Sequence, residues 1–181
     1  PDPLETPTDY AIGDKVRLAS PGLTGFNCHR IPALTTATNG WIIAAWDGRP
    51  DNCQDAPQAN SIIYRISKDG GKSWTSIQTA LAGTPGAQKV GYSDPSFVVD
   101  RTTGTIFLFS VKSYDAGLFQ SQLGTDPAAR NILHAHVVES HDNGETWVNP
   151  PTNTDQVTAG HTDQWFTRFA SSGEGIQLRY G

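Results

Sequence analysis

Short apolar runs separated by turn residues recur along the chain, and no segment of useful length has the three-and-four spacing of an amphipathic helix. The first two runs, 31–35 and 41–46, flank Asn39-Gly40, a dipeptide that accepts positive φ and favours a tight hairpin. A further run at 61–66 ends in a cluster of turn residues. The pattern therefore predicts an all-β chain of antiparallel strands joined by short turns.

This arrangement occurs a second time in the chain. Runs at 96–100 and 105–110 flank a turn at Gly104, and another run covers 134–138. Gly104 lies 64 residues after Gly40, its counterpart in the first hairpin. Repeated units of four antiparallel strands are typical of β-propellers, in which each blade buries one face on a neighbour. We interpret the chain as two such blades.

The run 175–180 resembles the opening strand of a third unit. Two blades and one strand cannot close a ring, although closure is how a propeller protects its strand edges. We therefore expect the remaining blades to come from sequence outside this chain or from a second chain. The chain holds no Met and starts with Pro1-Asp2-Pro3, which indicates a processed or trimmed N-terminus.

Composition narrows the range of function classes. The 13 Lys and Arg residues against 18 Asp and Glu residues give a net charge of −5, and no basic cluster is present. Nucleic-acid phosphates require a basic surface, so nucleic acid is not an expected partner. No apolar run is long enough to span a membrane. The two cysteines, Cys28 and Cys53, permit either one disulfide in an oxidising compartment or two separate thiols.

One eight-residue pattern occurs twice, each time after a predicted strand. Its Asp can accept hydrogen bonds from following N–H and hydroxyl groups, its Gly supplies positive φ, and its Trp packs as an apolar plug. We therefore interpret it as a structural staple without a catalytic role. The copies are Ser67-x-Asp69-x-Gly71-x-Ser73-Trp74 and Ser140-x-Asp142-x-Gly144-x-Thr146-Trp147. They resemble the Asp-boxes of sialidases and of other Asp-box β-propellers.

Further segments extend this resemblance, in the same order along the chain. His29-Arg30-Ile31-Pro32 resembles the aromatic-Arg-Ile-Pro motif near the start of the sialidase catalytic domain, with His in the aromatic position. The others are Trp46-Asp47-Gly48-Arg49-Pro50, Asp55-Ala56-Pro57 and Gly91-Tyr92-Ser93-Asp94-Pro95-Ser96. From about residue 24 onward, the chain is similar to bacterial secreted exo-α-sialidases of the actinobacterial type.

The resemblance implies a six-bladed β-propeller, of which residues 1–181 form the N-terminal part, with about the first two blades and the start of a third. It also implies a secreted, cofactor-free enzyme that removes terminal sialic acids from glycoproteins, glycolipids and oligosaccharides with retention. Sialidases use a Tyr as nucleophile. In the family this Tyr, its partner Glu and two clamp arginines lie downstream of the last residue here, so the chain alone is expected to be inactive.

The resemblance assigns roles to three charged residues. Arg30 corresponds to the first arginine of a clamp for the sialic acid carboxylate, which a guanidinium can match bidentately. Arg49 corresponds to an arginine that reaches the 4-hydroxyl region of the sugar. Asp55 corresponds to the acid/base, which must carry its proton at the working pH to protonate the leaving oxygen. Asp47 and Asp51 compete with it for this role.

The resemblance also implies further pocket residues, one of them acidic and the others apolar. Asp94 corresponds to a family Asp near the 4-hydroxyl and the amide, with a strand cap as its structural alternative. Ile31 joins the substrate-binding set, and the apolar wall for the N-acetyl methyl group is expected from Val111, Leu118 and Phe119. Glu174 is a candidate pocket residue.

Two pairs of residues remain to be interpreted. Cys28 precedes Arg30 by two residues and Cys53 precedes Asp55 by two, so a disulfide would fix the acid/base loop relative to the clamp. His134-x-His136 places two imidazoles on one strand face without a third ligand nearby, so we expect no metal site.

Two alternatives to a sialidase stay open. A non-catalytic Asp-box propeller could bind glycans or act as a scaffold, and it would need no protonated acid at position 55. Another Asp-box glycosidase would not need the Arg-Ile-Pro clamp.

Overall fold

The computed structural model describes residues 15–124, 126–149, 158, 160–161 and 163–178. Over these residues the fold consists of strands and turns, with one short 3-10 helix at Leu23–Gly25. The strands of this part are β1 (Cys28–Thr36), β2 (Ile42–Arg49), β3 (Ser61–Ser67), β4 (Gln78–Leu81), β5 (Gly91–Val99), β6 (Ile106–Ser113), β7 (His134–Ser140) and β8 (Gly173–Glu174). They form two four-stranded sheets, which confirms the predicted all-β class.

Both sheets are built around the hairpins that the sequence predicts. The first has the order β1-β2-β3-β4, and its first hairpin closes where the Gly40 N–H donates to the Ala37 carbonyl at 2.9 Å. The second has the order β7-β6-β5-β8, and its first hairpin closes where the Gly104 N–H donates to the Asp100 carbonyl at 2.8 Å. Both glycines have positive φ, which a side chain would strain. Strands β1 and β5 contact each other and join the two units.

The end of the chain differs from the prediction of a strand over 175–180. Strand β8 comes earlier, has two residues, and pairs in parallel with β5 of the second sheet. Residues 175–178 form no strand, and 179–181 lie outside the described residues. Ile176 and Leu178 supply the alternation that predicts a strand, but both side chains are exposed. Strand propensity is realised only by packing against neighbours, which these two side chains lack here.

The main hydrophobic core lies between the two sheets. It is formed by the facing apolar side chains of both: Ala33, Ala37, Ile43, Ala45, Ile62, Tyr64, Ile66, Leu81, Phe97, Val99, Ile106, Leu108 and Val138. Trp147 packs against it, with its ring centroid 5.9 Å from Tyr64 and 6.2 Å from Phe97. Trp74 packs on a smaller cluster on the other face of the first sheet. The tryptophan of each repeated eight-residue pattern therefore covers a sheet face.

The two turns that resemble Asp-boxes hold the same hydrogen bonds. In the first, the Asp69 carboxylate accepts the N–H of Ser73 at 2.9 Å and its hydroxyl at 2.5 Å. The hydroxyl of Ser67 also donates to Asp69, at 2.9 Å. In the second, Asp142 accepts the corresponding three bonds at 2.9, 2.5 and 2.8 Å. The repeated sequence pattern thus folds into one local geometry twice.

These turns are expected to make the free energy of unfolding depend on pH. The hydroxyl of Ser73 leads the interactions that lower the pKa of Asp69 to about 2. Burial raises the pKa of Asp142, but hydrogen bonds from Thr146 leave it lowered. A lowered pKa contributes stability that is complete above about pH 4, the unfolded value, and is lost as pH falls through the folded value. The free energy of unfolding, measured with urea, should therefore fall over this range.

The matching variant is the double substitution Asp69→Asn and Asp142→Asn in the full-length protein. Its unfolding free energy should fall less steeply with acid than that of the wild type. Parallel curves for the two proteins would contradict the role of the two carboxylates.

Candidate active site

Strands β1 and β5 each contain a bulge near their first residues. The pairing register shifts between residues 30 and 33 in β1, and between 93 and 96 in β5. Within these bulges Ile31 has φ +56° and Asp94 has φ +60°. Residues other than Gly and Asn rarely adopt this backbone conformation. Bulges redirect the side chains around them. The same irregularity therefore shapes the corresponding end of β1 and of β5.

A cleft of about 250 Å³ opens beside the two bulges. It is lined by Arg30, Ile31, Arg49, Asp55, Ala56, Ser93, Asp94, Val111, Leu118, Leu133 and Phe169. Seven of these residues belong to the site predicted from the sequence, namely Arg30, Ile31, Arg49, Asp55, Asp94, Val111 and Leu118. The fold thus brings together two arginines, two carboxylates and an apolar wall.

Two arginines converge on one carboxylate at the rim of this cleft. The Nη1 atoms of Arg30 and Arg49 donate to the same oxygen, Oδ1 of Asp55, at 3.0 and 2.9 Å. The side chains of Asp55 and Arg30 are 75% and 42% exposed, whereas that of Arg49 is 1% exposed. Since guanidinium groups bind carboxylates in general, an anionic ligand can compete with Asp55 for Arg30, the more exposed of the two arginines.

A buried ion pair lies beneath the rim. The Oδ2 atom of Asp47 accepts hydrogen bonds from Arg49 Nε at 3.2 Å and from Arg49 Nη2 at 2.8 Å. Its Oδ1 atom accepts the backbone N–H of Asp94 at 2.9 Å. Burial raises the pKa of Asp47 to about 7 against the lowering effect of Arg49, and burial also raises the pKa of Asp94. Burial lowers the pKa of Arg49, but the bonds to Asp47 and Asp55 leave it raised.

The loop after β2 is tied to this pair and to β1. A disulfide joins Cys53 to Cys28 at the start of β1, with 5.3 Å between the two Cα atoms. Arg49 Nη1 donates to the carbonyls of Cys53 and Gln54, both at 2.8 Å. Arg30 Nη1 donates to the Cys53 carbonyl at 3.0 Å. Covalent and polar contacts therefore hold the loop that carries Asp55 against the arginines.

Removing the disulfide is expected to destabilise the protein. It links residues that are 25 apart in sequence, and closing a loop of this size removes about 3–4 kcal/mol of unfolded-state entropy. The double substitution Cys28→Ser and Cys53→Ser should lower the free energy of unfolding by about this amount in a urea titration. A reducing agent should shift the wild type toward the variant and leave the variant unchanged. Equal unfolding midpoints for the variant and the oxidised wild type would contradict this expectation.

Phe119 is a predicted wall residue that the cleft does not include. Its side chain is 91% exposed. Residues 118–120 form a turn, and a turn directs neighbouring side chains apart, so Leu118 lines the cleft while Phe119 does not. Leu133 and Phe169 extend the apolar wall instead.

Three other carboxylates considered from the sequence do not line the cleft. Asp47 is fully buried against Arg49 and cannot reach a ligand. Asp51 is exposed in the loop after β2. Glu174, on β8, accepts a hydrogen bond from the hydroxyl of Thr35 at 2.5 Å. Among the carboxylates weighed for the acid/base role, Asp55 is the one at the cleft.

The histidines of β7 have protein contacts of their own. His134 Nε2 lies 2.8 Å from the carbonyl of Ala129, and the His136 ring lies 5.3 Å from that of Tyr92. Burial lowers the pKa of His136 to about 4. Across the described residues, no three His, Cys, Asp or Glu side chains come together in a metal-binding group. In that same part of the chain, no helix combines the length and the apolar character needed to cross a membrane.

Sequence reasoning missed four lining residues. Ala56 and Ser93 stand next to Asp55 and Asp94 within the motif segments, and this adjacency could have identified them. Leu133 and Phe169 come from distant parts of the chain and carry no sequence pattern of their own.

Comparison with known proteins finds sialidases both among sequence relatives and among solved structures. No family model matches the chain. A sialidase of Micromonospora viridifaciens is 48% identical over 99% of this chain, which spans 26% of that protein. Among solved structures, a Hadza microbial sialidase superposes with a TM-score of 0.70 at 27% identity, covering 86% of this chain and 31% of its own. The intramolecular trans-sialidase from Ruminococcus gnavus superposes at 0.71 with 16% identity, covering 87% and 54%.

The structural neighbours are β-propeller sialidases, and the second one supports the fold alone. The sequence relationship reaches further, because nearly half of the residues are identical along the whole chain. The chain also spans about a quarter of the length of that Micromonospora relative. This chain is therefore a homologue of the bacterial sialidases over the part of their length that it spans.

Proposed function

We propose that the protein carrying this chain is a secreted exo-α-sialidase, and that residues 1–181 form the N-terminal part of its six-bladed catalytic β-propeller. It would release terminal sialic acids from glycoproteins, glycolipids and oligosaccharides with retention of configuration and without a cofactor. The proposal is supported by the 48% identity to a protein named sialidase. It is also supported by the contents of the cleft.

One observation carries the proposal, namely the convergence of Arg30, Asp55, Asp94 and an apolar wall in one cleft. Sialic acid presents a carboxylate beside its anomeric carbon, several hydroxyls and an N-acetyl methyl group. A guanidinium can bind the sialic acid carboxylate, carboxylates can accept hydrogen bonds from the hydroxyls, and apolar side chains can pack against the methyl group. The cleft offers these three kinds of partner together.

The pairing of Asp55 with the arginines suggests how binding prepares the acid. In the free protein, Arg30 and Arg49 hold the Asp55 carboxylate. A sialic acid carboxylate bound to Arg30 would take the place of Asp55 on that guanidinium. Asp55, released from Arg30 and still beside Arg49, would take up a proton from solvent, give it to the glycosidic oxygen as the bond to the leaving group breaks, and later take a proton from the attacking water. Substrate binding and release of the acid would be coupled through Arg30.

The remaining chemistry is assigned to the rest of the protein. A Tyr with a Glu partner would attack the anomeric carbon, and two further arginines would complete the clamp. A neutral nucleophile suits a substrate that already carries a negative charge beside the reacting carbon. The remaining blades would come from the sequence outside this chain or from a second chain.

The test is hydrolysis of a fluorogenic aryl α-sialoside by the full-length protein, with the intact mass measured on the same sample. We expect release of the fluorophore and, by NMR, the α-anomer of sialic acid as the first product. No release by a sample of complete mass would refute the proposal. Turnover by the 19.5-kDa chain alone would contradict the downstream nucleophile.

The second candidate function is a glycan-binding propeller without catalysis. It would bind a sialylated oligosaccharide through the same cleft and leave it intact. Binding without release by protein of complete mass would therefore favour this alternative.

A further inference from the structure

Asp47 connects groups that belong to different parts of the cleft. It is fully buried on β2, yet each of its carboxylate oxygens binds a partner that leads to the cleft. Through Oδ2 it holds the guanidinium of Arg49 at two nitrogens. Through Oδ1 it accepts the N–H of Asp94 across to the second sheet. One side chain thus bridges the two blades directly below the site.

The contact between Asp47 and Arg49 also affects Asp55, because Arg49 donates a hydrogen bond to Asp55 as well. Once its Nε and Nη2 atoms are engaged by Asp47, its Nη1 atom donates to Asp55 and to the carbonyls of Cys53 and Gln54. Arg49 therefore orients the loop that carries Asp55, and Asp47 orients Arg49. A buried guanidinium without its carboxylate would lack this fixed geometry.

The hydrogen bond from the Asp94 N–H to Asp47 stabilises an unfavourable backbone conformation. Asp94 has φ +60°, a strained region for a non-glycine residue that persists only where the surrounding structure holds it in place. The bond from its N–H to a buried charged oxygen is one such support. The carboxylate of Asp94 then projects from the bulge into the cleft.

We propose that Asp47 is a positioning residue that sets both cleft carboxylates, Asp55 through Arg49 and Asp94 through its backbone N–H. The inference rests on the proposed function for its effect on catalysis, but the geometry it asserts can be tested without any turnover. It assigns Asp47 no contact with the substrate.

The catalytic test compares two substrates in the full-length protein. A sialyl oligosaccharide needs its leaving oxygen protonated, whereas an aryl sialoside with a good leaving group needs this far less. Asp47→Ala should lower kcat/KM on the oligosaccharide by about 100-fold, since displaced catalytic groups cost about this much. The loss on the aryl sialoside should be clearly smaller. In an Asp55→Ala background, Asp47→Ala should add no further change in the ratio of the two rates.

The matched control is Asp69→Ala, which removes a carboxylate that also accepts three hydrogen bonds but does not line the cleft. It should lower the melting temperature and leave the ratio of the two rates unchanged. If Asp47→Ala lowers both rates by the same factor, so that their ratio stays unchanged as it does in the control, the positioning role is refuted. Asp47→Asn, which keeps one carbonyl acceptor for the Asp94 N–H, applies the same criterion where the alanine variant does not fold.

Hydrogen–deuterium exchange provides the readout that does not depend on turnover. In Asp47→Asn, amides of residues 51–57 should exchange at least several-fold faster than in the wild type, and amides of β7 should not change. Unchanged exchange over 51–57 would overturn the inference even for an active sialidase. Faster exchange in a protein that hydrolyses no sialoside would support the geometry and refute the proposed function instead.

Discussion

Asp55→Ala in the full-length protein is expected to lower hydrolysis of a sialyl oligosaccharide by about 10²- to 10⁴-fold, the usual contribution of a general acid–base group. The carboxyl of Asp55 lies at the rim of the cleft, mostly exposed, where it can approach a leaving oxygen. An aryl sialoside with a good leaving group departs without protonation, so its rate should fall far less. The measurement is kcat/KM for both substrates with each protein.

The discriminating variant is Asp51→Ala, four residues earlier in the same loop. Asp51 does not line the cleft, so this change should leave the preference between the two substrates as it is in the wild type. Equal losses on both substrates for Asp55→Ala would remove the acid/base assignment. A selective loss for Asp51→Ala would transfer that assignment to Asp51.

Arg30→Ala is expected to lower kcat/KM by about 10²- to 10³-fold, the range seen when one donor to a developing or bound charge is removed. Both substrates carry the sialic acid carboxylate, so both rates should fall by similar factors, in contrast to Asp55→Ala. Arg30 also holds Asp55 and the carbonyl of Cys53, so part of the loss is expected to come from the loop.

The control for this variant is Arg101→Ala. Arg101 is an exposed arginine that donates to the Thr36 carbonyl and does not line the cleft. It removes the same charge and should leave both rates near those of the wild type. A loss confined to the oligosaccharide in Arg30→Ala would show that Arg30 acts through Asp55 and not as a clamp for the ligand.

The sequence predicted features that are encoded locally. Hairpin turns at Gly40 and Gly104, and the two turns around Asp69 and Asp142, depend on residues within a few positions of one another. The strands follow because their apolar runs end at such turns. Local chemistry of this kind is readable without knowing the tertiary fold.

The charged residues of the site were predicted from motif segments, whereas Leu133 and Phe169 of its apolar wall were missed because they reach it only through tertiary packing. Arg30, Asp55 and Asp94 stand in recognisable segments, and the structure brings them to one cleft. Phe169 joins them from a distant segment without a motif, and Phe119 turns away because of a local turn. From the sequence, Asp47 could be weighed only as a competing acid, since nothing local indicates that it is buried between an arginine and a backbone N–H of the other sheet.

The paired bulges of β1 and β5 also bear on how the chain avoids misfolding. Sliding a strand by one residue would exchange its two faces and place every core side chain in solvent. In each bulge the residue with positive φ precedes a proline, which has no N–H to offer to a shifted ladder. An incorrectly aligned hairpin would therefore combine a missing hydrogen bond with a strained backbone in the wrong place. The irregularity that directs Arg30 and Asp94 toward the cleft thus also fixes the alignment of the strands that carry them.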